Sequence, residues 1–227
     1  MGENHILTKL LRRQPELKRN LSLKSFSARD VIAQPEQPLD HLIFPITGMV
    51  AMTVAVGSDL AEVGMIGPEG VIGGGAVFGA RRHLTFASGC VSGTAHLLPA
   101  AVLIDLAKRD EIVRKSLFRA ESWLLVQAQQ IAACNGRHTV PQRLCHWLLR
   151  AADINGNKDL PATQALIAEL LGIQRASISS SAAKLQDKGC IQYSRGVISI
   201  IDRKELEAEA CECYALLQKR RPAFWSS

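Results

Sequence analysis

Between Thr163 and Lys188 the chain reads TQALIAELLGIQRASISSSAAKLQDK, and the spacing within it restricts the local fold more than any other stretch. Thr163 is placed to cap a helix from Gln164 to Leu171 whose apolar content is Leu166, Ile167, Leu170 and Leu171. Ala168 is followed by Gly172 and then by Ile178. A small residue lets a second helix cross closely, glycine takes the turn, and a branched apolar residue of the second helix packs on the first. The pattern predicts a helix-turn-helix, with the second helix running from about Arg175 to Asp187 or Lys188 and stopped by Gly189.

The first two turns of that second helix, RASISSSA, carry one arginine and a run of serines. Serine is a poor helix former, so a purely structural surface has no reason to select it. Small hydroxyl residues suit a helix pressed into a DNA major groove, where an arginine near its start can bond guanine bidentately. Downstream, CIQYSRGVISII predicts two short strands around Ser194-Arg195-Gly196, a hairpin wing whose arginine can meet phosphate. Asp202 is placed to cap a last helix. Across residues 172–196 the cations Arg175, Lys184, Lys188 and Arg195 face one anion, Asp187. The expected DNA-facing residues are therefore Thr163 and Gln164 on the first helix. On the second they are Gln174, Arg175, Ala176, Ser177, Ser179, Ser180 and Lys184, with Arg195 on the wing.

Upstream the texture differs. Residues 6–19 read as an amphipathic helix with Leu7, Leu10, Leu11 and Leu17 near one face. From about 21 to 105, β-rich runs (HLIFPI, MVAMTVAV, AEVGMI, CVSGTAHLL) alternate with Gly, Pro and Asp punctuation, which predicts an antiparallel roll or sandwich. From 112 to 137 the helical period returns. Val113, Leu117, Ala120, Leu124, Gln127, Ile131 and Cys134 then fall near heptad spacing. A rod of roughly 33 Å carries more apolar stripe than a lone roll can bury, so these seven positions are expected to line a homodimer seam. Pro141 marks a break, with Thr139 and Gln142 spaced as a capping box for the next helix. The expected organisation is a sensor roll over 1–111, a dimerisation helix over 112–138 and a winged helix over 139–227, an α+β chain.

The net charge of +6 fits a polyanionic partner. No apolar run approaches the roughly 18 residues that span a bilayer, and the charged, helix-patterned N-terminus is unlike a secretory signal, so the expectation is a cytoplasmic chain without membrane association. The cysteines, Cys90, Cys134, Cys145, Cys190, Cys211 and Cys213, form no CxxC pair. Neither they nor the histidines show a sequence spacing typical of zinc or iron–sulfur sites, so no metal and no cofactor is expected.

In this order, roll, long helix and winged helix, the chain resembles the Crp/Fnr family of bacterial transcription regulators. The resemblance implies a jelly-roll-like sensor, a homodimer, double-stranded DNA read in successive major grooves, RNA polymerase as a further partner, and a small-molecule effector that the sequence does not name. Arg175 aligns with the family's guanine-reading arginine. Ala176 and Ser180 stand where cyclic-nucleotide-responsive members carry a glutamate and a second arginine. The glycine stretch GVIGGGAVFGARRHL (70–84) aligns with the family's phosphate cassette. Gly74 then stands at the ribose-binding glutamate and Leu84-Thr85 at the arginine-serine pair, leaving a degenerate pocket of Gly73, Gly74, Gly75, Leu84 and Thr85. A buried phosphate without a facing cation is costly, so cyclic AMP is not the expected effector. The iron–sulfur branch needs an N-terminal cysteine cluster, and no cysteine precedes Cys90. Two other readings compete: a cupin-like metal enzyme, and a ligand-binding adaptor, each with a helix-turn-helix appendage. A cupin needs clustered histidines, whereas His41, His83 and His96 are scattered, and no nucleophile elbow is present, so no catalytic residue is expected.

Overall fold

The computed structural model describes residues 3–225, with side chains through 221. The chain divides into two compact units. The first comprises residues up to 52 together with 65–125; the second comprises 53–64 together with 126 onward.

The first unit opens with α1 (His5–Arg13), capped by Asn4, whose Oδ1 accepts from the Leu7 amide at 2.9 Å. The buried Asn4 amide group also donates to the carbonyls of Pro45 and Gly70, which ties the helix to the roll. The expected helix over 6–19 does not continue past Arg13. Pro15 lacks an amide hydrogen and disfavours helical backbone at Gln14, and residues 15–20 form a 3-10 segment instead. The strands are β1 (Ser22–Phe26), β2 (Val31–Ala33), β3 (His41–Pro45), β4 (Met49–Val56), β5 (Asp59–Ile66), β6 (Phe86–Val91) and β7 (Gly93–Pro99). They make a three-stranded sheet in the order β1-β7-β3 and a four-stranded one in the order β2-β6-β4-β5. β7 pairs antiparallel with both neighbours, Leu97 facing Ser22 on one side and Ile43 on the other. Leu42, Phe44, Met49, Met65, Ile72, Leu98 and Leu103 are fully buried and form the core. Gly93 is required by close approach, since a Cβ there would stand 2.0 Å from the Thr47 carbonyl oxygen.

α2 (Ala100–Arg109) follows, then α3 (Glu111–Arg137), which at 27 residues is a rod of about 40 Å. The division between the two units falls within α3, after Leu125.

In the second unit α4 (Val140–Asn155) starts with the capping box read from the sequence, Thr139 with Gln142 and Pro141 in the first turn, and ends on Gly156 in the left-handed region. β8 (Asp159–Leu160), α5 (Gln164–Leu171), α6 (Arg175–Asp187), β9 (Ile191–Ser194), β10 (Val197–Ile200), α7 (Arg203–Glu209) and α8 (Glu212–Trp225) complete it. The three short strands pair in the order β8-β10-β9. Leu144, Leu148, Leu149, Leu160, Ile167, Ile178 and Leu206 are fully buried. A buried polar group also lies in this unit. Glu62, on the outer half of the β4–β5 hairpin, accepts from Trp147 Nε1 at 2.7 Å and from Arg150 Nη1 at 3.1 Å. The second guanidinium nitrogen of Arg150 donates to Gln127 Oε1 at 2.7 Å. Burial pushes the Glu62 carboxyl above its ordinary pKa, against the opposing pull of Arg150.

Candidate nucleic-acid interface

The helix pair is built as its sequence spacing requires. Thr163 Oγ1 accepts from the Leu166 amide at 3.2 Å, and α5 ends on Gly172 at φ +62, a left-handed turn that glycine adopts without strain. Ala168 and Ile178 are both buried, at the crossing of the two helices. Ile178, Ser181, Ala182 and Leu185 form the inward face of α6, while Gln174, Arg175, Ala176, Ser180, Ala183 and Lys184 are exposed. The wing turns on Arg195 at φ +49 and Gly196 at φ +81, two successive left-handed residues of the kind that close a two-residue hairpin. Arg195 is exposed at its tip. Asp202 caps α7 by accepting from the Glu205 amide at 3.0 Å.

Residues 142–209 match the Crp-like helix-turn-helix family. This segment is a Crp-like helix-turn-helix domain. The whole chain has the fold of Crp/Fnr regulators. It superimposes on FixK2 from Bradyrhizobium japonicum with a TM-score of 0.73 at 17% identity, covering 84% of this chain and 98% of that one. It superimposes on a CRP-family transcriptional regulator from Thermus thermophilus at 0.70 and 18% identity, covering 82% and 96%. For CLP of Xanthomonas campestris, described as a c-di-GMP responsive global regulator, the values are 0.66, 15%, 84% and 99%. No curated protein sequence matches the chain. The architecture is thus that of a Crp/Fnr-type regulator, a mixed fold of antiparallel roll and C-terminal winged helix. No described helix is long and apolar enough to cross a membrane.

Within the Crp-like domain, the ten residues expected to face DNA do not all have free side chains. Ser179 Oγ donates to Gln164 Oε1 at 2.7 Å, so these two hold α5 to α6, and Ser177 is half-buried. Thr163 spends its hydroxyl on the helix cap. Thr163, Gln174, Arg175, Ala176, Ser180, Lys184 and Arg195 are the exposed members.

The glycine cassette of the roll carries its own anion. Residues 74–78 form a 3-10 turn introduced by Gly73 at φ +87. The amides of Gly74 and Gly75 donate to the Glu121 carboxylate of α3. A Cβ at position 74 would stand 2.6 Å from Glu121 Oε1, so glycine is what admits the carboxylate. Burial raises the pKa of Glu121, and the two amides oppose that rise. Leu84 is 81% exposed, and Arg81 and Arg82 are also exposed. Gly73, Gly74 and Gly75 therefore lie together at the turn, whereas neither Leu84 nor the two arginines supply a buried cation beside them.

Along α3, Val113, Leu117, Ala120, Gln127 and Cys134 of the expected seam are buried within the single chain, and Leu124 and Ile131 are half-buried. The exposed large apolar residues of this helix are Ile112, Phe118 at 60% and Leu125 at 59%. Four residues whose spacing in sequence gave no sign of a shared site come together in the second unit: Cys134, His138, Cys211 and Cys213. Only the short-range pairs could have marked them: Cys134 and His138 are four apart at the end of a helix, and Cys211 and Cys213 flank a helix start.

Proposed function

We propose that the chain is a sequence-specific, DNA-binding transcription regulator that acts as a homodimer. The observation that carries this is the exposed face of α6: Arg175, Ala176, Ser180 and Lys184 face solvent from a helix whose opposite side is fully packed. A cation at the first turn, small residues behind it and a second cation further along match the demands of a major groove. Arg195 at the wing tip adds a phosphate contact. In a dimer, two such helices meet successive grooves about 34 Å apart on a near-palindromic site.

The partner copy is expected along α3. The heptad stripe from Val113 to Cys134 is largely covered by the chain itself, so the seam lies on the outer face: Phe118, Leu125, Gln129 and Ala132, which are exposed, with the half-buried Ser122 between them. These recur at the three- and four-residue steps that a helix pair needs. The roll acts as a sensor for something other than cyclic AMP. Its glycine amides already hold Glu121, and a phosphate placed there would meet a carboxylate rather than a cation. RNA polymerase and the unnamed effector are the remaining partners of this reading.

Selection of bound sites from random duplex DNA, followed by Arg175→Ala, tests the proposal. The variant should lose roughly 1–3 kcal/mol of affinity for the selected site and relax its preference at one base pair of each half-site. Lys184→Ala should weaken all sequences alike and lower the salt dependence by about one ion. A chain that selects no site, or an Arg175→Ala variant with undiminished binding, favours the adaptor reading. Titration calorimetry with cyclic AMP is expected to show no heat.

A further inference from the structure

Within the second unit, the donor atoms of Cys134, His138, Cys211 and Cys213 all lie within 4.8 Å of one another. We propose that these four side chains are a tetrahedral binding site for a single zinc-class divalent ion. Three observations carry it.

The first is size. Thiolates on one zinc, each about 2.3 Å from the metal, stand roughly 3.8 Å apart at the corners of a tetrahedron. Cys134 Sγ and Cys211 Sγ are 3.5 Å apart, and Cys213 Sγ lies 3.5 Å from His138 Nδ1. The set fits one ion. A four-iron cluster separates its thiolates by a whole cubane and does not fit this spacing. A disulfide would require the 3.5 Å gap to close to about 2.05 Å and would leave Cys213 and His138 without a purpose.

The second is orientation. His138 presents Nδ1 to the thiols while its Nε2 meets the Glu212 carboxylate at 3.2 Å. A metal-bound imidazole is oriented in this way, with its outer nitrogen hydrogen-bonded to a carboxylate that fixes the tautomer and strengthens the ligand. The third is the handling of sulfur charge. Gln130 Nε2 donates to Cys213 Sγ at 3.1 Å, and His146 Nδ1 lies 3.5 Å from Cys134 Sγ, so two neighbours can donate to thiolates. Three cysteines this deeply buried would otherwise be expected among apolar neighbours.

The chain reaches this geometry through two local patterns. His138 extends the last turn of α3, its amide bonding the Cys134 carbonyl at 3.0 Å, which puts residues 134 and 138 on one face. Cys211 and Cys213 flank the first residue of α8, where the Tyr214 amide bonds the Cys211 carbonyl. The metal would join the end of α3 to the start of α8 and so close the loop that contains the entire helix-turn-helix and wing. The ion site stands whether or not the domain binds DNA.

The test uses the full-length chain purified under reducing, chelator-free conditions. Elemental analysis is expected to find about one zinc per chain. Cobalt(II) substitution should give the intense visible bands of a tetrahedral ion together with thiolate-to-cobalt charge transfer, and zinc should abolish both. Cys211→Ser and Cys213→Ser should each weaken zinc binding at least ~100-fold in chelator competition. Glu212→Gln should weaken it about tenfold, and Cys145→Ser, outside the cluster, should leave it unchanged. The cobalt spectrum of the unaltered chain stands even where a variant fails to fold. The proposal is overturned if the reduced chain takes up neither zinc nor cobalt, or if Cys134 and Cys211 are recovered as a disulfide. Several irons with acid-labile sulfide per chain would overturn it equally.

Discussion

At the scale of single residues, the second unit depends on a charge that it could not leave alone. Arg150 and Glu62 are both buried, and Glu62 also satisfies the indole of Trp147. A buried pair of this kind adds little over a well-packed apolar pair, but removing one member strands the other in a medium that cannot solvate it. Glu62→Ala should therefore lower the stability of the chain by about 3–5 kcal/mol, read from the midpoint of urea denaturation. Arg150→Met together with Glu62→Leu should recover most of that loss. A Glu62→Ala chain as stable as the parent would show that water reaches Arg150. Nothing in the sequence announces this pair, because Glu62 and Arg150 are far apart in the chain and neither residue type is expected in a core.

At the scale of elements, what can be read from sequence and what cannot divide along the range of the interactions. α5, α6, the wing and the caps at Thr139, Thr163 and Asp202 follow from residues within a few positions of one another, and the structure has them where the spacing puts them. The apolar period overshoots α1 because it continues through Leu17, while Pro15 ends the hydrogen-bond ladder. α3 is the instructive case. Its heptad pattern is real, but a period says only that one face is buried, not what buries it. Much of that face is covered by the chain's own packing, and the large apolar residues left outside are Ile112, Phe118 and Leu125. If the proposed homodimer forms along α3, Phe118→Glu with Leu125→Glu should give a monomer on size-exclusion chromatography with light scattering, with the fold retained. Leu117→Glu should unfold the roll instead, since Leu117 has no exposed surface. A double variant that remains dimeric would place the seam elsewhere.

At the scale of the whole molecule, fold and chemistry are legible to different degrees. The order of roll, long helix and winged helix can be read from periodicity because each part has its own repeat. The Cys134–His138–Cys211–Cys213 cluster cannot be, since its two halves are brought together only when α4 to α7 have folded between them. The glycine stretch lies between these cases. Its turn is visible in its glycines, whereas the Glu121 carboxylate that the Gly74 and Gly75 amides hold needs the fold that brings α3 against the turn.

The membership of residues 53–64 in the second unit bears on how this protein can be divided. A winged helix is commonly treated as a portable module, cut free just before its first helix. Here the module is discontinuous: a fragment beginning at Thr139 carries Arg150 and Trp147 but leaves behind Glu62 and Gln127, which satisfy them. Such a fragment should be soluble only as a loosened state with exchange-labile amides in α4, and supplying the β4–β5 hairpin as a separate peptide should restore their protection. Grafting this domain onto another N-terminal unit would then mean carrying the tip of the β4–β5 hairpin with it.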